Sequence, residues 1–95
     1  MRIEIMDKNK KELIISGAYN SVLEAVEKNK EKMRCADLVY ADLARANLSE
    51  ADLTRANLEG AYLIGTILCD CDLNDAKISY RGKTVTIKFV GESEK

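Results

Sequence analysis

The sequence predicts a mainly β fold built as a short solenoid, with a β-hairpin and helix ahead of it and a β-strand behind it. Three observations carry that reading. Leu38, Leu43, Leu48, Leu53, Leu58, Leu63, Leu68 and Leu73 share one register of period five, followed by Ile78. Leucine is about a tenth of average sequence, so chance supplies such a run roughly once in a hundred million. Two positions before each stands a small residue: Ala36, Ala41, Ala46, Ala51, Ala56, Ala61, Thr66, Cys71 and Ala76. Between them Asp or Asn recurs, at Asp37, Asp42, Asn47, Asp52, Asn57 and Asp72. Periods of 3.6 or 2.0 residues would both rotate the leucines off one face, so the backbone must turn once per repeat. Units of five residues are too small to fold alone and must stack to bury a shared interior.

The 95 residues read as one domain in three parts: 1–34, 35–80 and 81–95. Arg2 to Met6 alternates as a strand, and Glu12 to Ser16 is a second β-branched run after a polar connection, which gives a hairpin. Ser21 and Glu24 are spaced as a capping box, and Val22, Ala25, Val26 and Met33 form one apolar stripe. That pattern predicts a helix running to about Lys32 that plugs the first coil. The repeats follow. Beyond Tyr80, Arg81-Gly82-Lys83 reads as a turn. Thr84 to Val90 then alternates with Val85, Ile87 and Phe89 on one side, a strand that could cover its own coil, pair with the hairpin or add to another subunit.

The blocks ADLVY, ADLAR, ANLSE, ADLTR, ANLEG and AYLIG resemble those of the pentapeptide-repeat proteins, with TILCD, CDLND and AKISY as degenerate copies. The resemblance implies a right-handed quadrilateral β-helix, four blocks to a coil, and nine blocks give about two coils. It places the central leucines, Ile78 and the preceding small residues, Cys71 among them, inward, and the other three positions outward. Leucine filling such an interior contributes about 1.5 to 3 kcal/mol on full burial. The Asp/Asn column reads chiefly as side chains that bond their own turn backbone. A hairpin and helix ahead of the repeats also resembles short bacterial and phage-encoded members of the family.

Composition narrows the function. The chain has no histidine and no proline, so arrangements built on a catalytic or metal-ligating histidine are excluded. No phosphate-binding glycine loop or metal-ligand cluster appears, and no catalytic residue, cofactor or metal is assigned. Three cysteines, Cys35, Cys69 and Cys71, are odd in number and too few for a disulfide framework. With no signal-peptide pattern in residues 1–17 and no apolar run near the ~18 residues of a membrane span, the expectation is a cytoplasmic protein without a membrane partner. The net charge of -1 is unevenly spread, at +2 over residues 1–34, -5 over 35–80 and +2 over 81–95.

Stacking by twenty residues sets Glu50 beside Asp70 and Asp52 beside Asp72, an acidic surface suited to a basic protein partner. Parallel side chains of this kind do not converge as calcium requires. Tyr62, Ile64 and Ile67 occupy outward positions and, with Val85, Ile87 and Phe89, make an apolar set suited to intramolecular cover, a homodimer or another partner. These features predict a non-enzymatic structural or protein–protein interaction module. The alternative implied by the resemblance is a small DNA mimic that modulates DNA gyrase or topoisomerase. Direct nucleic-acid binding is disfavoured by the acidic centre.

Overall fold

The structure is a computed structural model and describes residues 1–86. Strands β1 (Arg2–Met6) and β2 (Leu13–Ala18) form an antiparallel hairpin whose register shifts between Ile5 and Met6. Asp7 organises its loop by accepting the Lys11 and Glu12 N–H groups, at 2.6 and 3.0 Å. Alternation buries Ile3, Ile5 and Ile15 and turns Arg2 and Glu4 to solvent.

The helix α1 spans Val22–Lys28. Its Ser21 hydroxyl accepts the Glu24 N–H at 3.1 Å, while the Glu24 carboxylate accepts the Asn20 N–H at 2.6 Å, a reciprocal N-terminal closure. The helix is shorter than the stripe predicts: it stops at Asn29 and tightens into a 3₁₀ turn over Lys30–Lys32. Two contacts hold this break. The Asn29 side-chain amide donates to the Ala25 carbonyl at 2.8 Å and to the Tyr19 hydroxyl at 3.0 Å. The turn then aims the Lys30 carbonyl at the Asp52 N–H, 2.9 Å away. Met33, at its end, is fully buried with Ala25 and Val26.

From Ala36 onward parallel bridges join positions twenty residues apart in four columns: Asp37 with Asn57, Asp42 with Tyr62, Asn47 with Ile67 and Asp52 with Asp72. Each column is stitched by backbone bonds between successive passes, such as Leu43 N–H to Tyr62 C=O at 2.9 Å and Tyr62 N–H to Ala41 C=O at 2.8 Å. The chain turns between columns through left-handed residues every fifth position: Cys35, Tyr40, Arg45, Glu50, Arg55, Gly60, Gly65, Asp70 and Asp75. Only two of these are glycine, although an L-residue there costs on the order of 1 kcal/mol. At Gly60 the need is twofold, because φ is +73° and a Cβ would run into the Tyr40 ring.

One apolar cluster joins the hairpin, α1, Met33 and the coil leucines. Among the described residues the Asn57 column alone continues past the second pass. There β3 (Asn57–Leu58) pairs in parallel with β4 (Lys77–Tyr80), and β4 pairs antiparallel with β5 (Lys83–Thr86). The remainder of the terminal strand read from the sequence, including Ile87 and Phe89, lies outside the described residues.

Candidate interaction surface

The coil carries its polar groups in a regular way. In all six Asp/Asn repeats the side chain accepts the N–H two residues on: Asp37 from Val39, Asp42 from Ala44, Asn47 from Ser49, Asp52 from Thr54, Asn57 from Glu59 and Asp72 from Asn74, at 3.0 to 3.3 Å. One acceptor oxygen per repeat is thus committed to the local turn. Asp52 also faces Arg34 at 3.9 Å, and Asp37 pairs with Lys10. Of the acidic set, Glu50, Asp70 and Asp72 are exposed and Asp52 is half-buried. Among the described residues no group of three or more His, Cys, Asp or Glu is arranged to hold a metal ion.

Burial is uneven along the leucine register. Leu38, Leu43, Leu48, Leu53 and Leu58 are at most 2% exposed, with Ala36, Ala46, Ala51 and Ala56 equally dry. In the later repeats most inward residues pack against the same core but are less deeply buried. Leu63, Leu68, Leu73 and Ile78 are only half-buried, as are Ala41, Ala61 and Cys71. For Leu63, Leu68 and Leu73 the cause is end geometry: no further strand stacks on the Tyr62, Ile67 and Asp72 columns among the described residues. Thr66 fits the small-residue column because its hydroxyl donates to the Leu43 carbonyl at 2.8 Å.

The same end carries several exposed apolar side chains. Tyr62, Ile64 and Ile67 are 57%, 63% and 47% exposed, on the two neighbouring columns, and Val85 on β5 is also exposed. Tyr40, 79% exposed, lies over Gly60 at the adjoining corner and extends this band. Cys69 is exposed, whereas partial burial, reinforced by the Asp72 and Asp52 carboxylates, pushes the Cys71 thiol up to about 11. The Cys69–Cys71 pair is therefore split across the wall of the coil, and neither position forms a clamp.

Two features escaped sequence reasoning. Thr54, in a position read as outward, is 6% exposed, and its hydroxyl has no hydrogen-bond partner. It is covered because residues 30–35 return across its column, where the Cys35 N–H bonds the Thr54 carbonyl at 2.8 Å. Glu27 lies off the apolar stripe of α1. Its carboxylate accepts the Asn47 N–H at 2.7 Å, closing the edge of the first pass. A glutamate on a helix flank gives no local sign of either role.

No helix among the described residues is long and apolar enough to cross a membrane. Comparison with curated proteins and with solved structures finds no match. Residues 36–75 match the family described as pentapeptide repeats, in eight copies, the stretch over which the twenty-residue columns and Asx bonds recur. Residues 36–75 of this chain are thus a run of pentapeptide repeats.

Proposed function

We propose that this protein is a non-enzymatic interaction module that docks through the C-terminal end of its repeat coil, with a second copy of the chain as its partner. The reading takes the repeats as a right-handed quadrilateral β-helix of about two coils, with the hairpin and helix as its N-terminal cap. The observation that carries it is the contrast between dry leucines through Leu58 and half-buried Leu63, Leu68 and Leu73 beside exposed Tyr62, Ile64 and Ile67. Contiguous apolar surface of this kind is a contact surface in soluble proteins. A repeat stack also needs its terminal unit covered.

Light scattering across a concentration series tests the proposal, with the double variant Ile64→Asp, Ile67→Asp alongside. The native chain is expected to self-associate and the variant to be a folded monomer, since both side chains are exposed and carry little of the fold. A native chain that stays monomeric at high concentration overturns self-association. The gyrase-modulator reading draws on the charge of -5 over residues 35–80. Exposed Arg45 and Arg55 interrupt that acidic run, and a duplex carries a charge every ~1.7 Å over a far longer span. It predicts inhibited supercoiling, which the interaction module does not.

A further inference from the structure

Three of the four columns have the outermost N–H of the first pass closed by the chain's own N-terminal segment. Asp37 N–H donates to the Met6 carbonyl at 2.8 Å, Asn47 N–H to the Glu27 carboxylate at 2.7 Å and Asp52 N–H to the Lys30 carbonyl at 2.9 Å. The fourth, Asp42 N–H, meets no acceptor among the described residues. On its other side the Asp42–Tyr62 column receives no third strand there either. This parallel bridge is open at both edges among the described residues, and an open edge is a template for another strand.

A groove of about 370 Å³ lies against this edge, with Ile5, Val22 and Leu38 among its apolar walls and Glu4, Asp37 and Asp42 among its acidic ones. Asp37 is already paired with Lys10, and Glu4 lies 3.6 Å from Arg2. Asp42 forms no ion pair among the described residues, and its bond to the Ala44 N–H uses Oδ1, leaving Oδ2 for a ligand.

We propose that this groove accepts a positively charged, extended peptide segment, which adds to the Asp42 edge as a strand and sets a Lys or Arg against the Asp42 carboxylate. Strand addition supplies the missing acceptor for the Asp42 N–H. The two-residue alternation of the ligand turns one set of side chains to the apolar wall and the other to the carboxylates. An acidic segment meets the like charge of the Asp42 carboxylate, and a helical ligand offers no free carbonyl row to the edge. The groove lies on the N-terminal edge of the first pass, so this proposal does not depend on self-association through Leu63, Leu68 and Leu73.

The test uses the full chain, labelled with ¹⁵N, and the blocked pentapeptide Lys-Val-Lys-Val-Lys as probe, with Glu-Val-Glu-Val-Glu as its counterpart. Saturating cationic peptide is expected to slow exchange of the Asp42 amide about tenfold and to shift resonances from Val39 to Ala44. Asp42→Asn keeps the oxygen that serves Ala44 N–H and should weaken binding several-fold, as should raised salt. Absence of binding at millimolar peptide, unchanged Asp42 exchange, equal affinity for the acidic peptide, or shifts confined to residues 63–73 would each overturn the proposal. The exchange measurement needs no variant, so it stands even if Asp42→Asn were unstable.

Discussion

Thr54→Val isolates the cost of one buried hydroxyl. Thr54 is 6% exposed, and its Oγ1 is buried without a partner, while its backbone N–H bonds Asp52 Oδ1 at 3.1 Å and its carbonyl accepts the Cys35 N–H at 2.8 Å. Valine keeps the β-branched shape and both backbone bonds, exchanging only hydroxyl for methyl. A buried polar group left unsatisfied costs about 1 to 3 kcal/mol, and a buried methyl group gains up to about 0.8 kcal/mol. The variant should therefore be more stable by about 1 to 4 kcal/mol. In a domain of this size each kcal/mol moves Tm by roughly 4 to 8 °C. Thr54→Ser, which keeps the hydroxyl and loses the methyl, should instead be destabilised by about 1 kcal/mol. Urea and thermal unfolding followed by circular dichroism measure both. A Thr54→Val protein of equal or lower stability refutes the reasoning, because it would mean that the hydroxyl makes a favourable bond in solution.

The uneven leucine register predicts unequal truncation costs. Leu48→Ala should lose about 2 to 5 kcal/mol through a closed cavity, and half-buried Leu68→Ala only about 1 kcal/mol, in urea melts at matched low protein concentration. Gly60→Ala should cost about 1 to 2 kcal/mol from its left-handed φ and the displaced Tyr40 ring, and adding Tyr40→Ala should recover part of that loss; fully additive losses in the double variant would exclude the ring contact. Iodoacetamide at about pH 8 should modify exposed Cys69 well before Cys71, whose thiol stays protonated up to about 11. That raised value also adds stability at neutral pH that is lost as pH climbs from the unfolded thiol's range toward about 11, a loss that Cys71→Ala should abolish in a pH series of melts. Asp7 titrates below the ordinary carboxylate range because it accepts the Glu12 and Lys11 N–H groups. Its contribution is present above the unfolded carboxylate value and disappears as pH falls through its lower folded value, so Asp7→Asn should flatten the acid limb of the same series.

The repeat sequence by itself determined the coil. A leucine every fifth residue with a small residue two before it admits no helix or flat strand, and the short Asp and Asn side chains suit a bond to their own turn, which all six make. Local alternation likewise located β1 and β2, and the spacing of Ser21 and Glu24 located the start of α1. These signals are short-range, so a sequence shows them directly. The left-handed corners were nearly silent, because Tyr40, Arg45, Glu50 and Arg55 occupy them as readily as Gly60 and Gly65. What only the tertiary structure decided is set by neighbours twenty or more residues away. The Lys30 carbonyl and Glu27 carboxylate close edge donors at Asp52 and Asn47. The return of residues 30–35 buries Thr54, and the lack of a further stacked strand among the described residues leaves Leu63, Leu68 and Leu73 half-wet while identical leucines one turn earlier are dry. A repeat specifies its own turn, but its burial and free edges depend on what stacks above and below it.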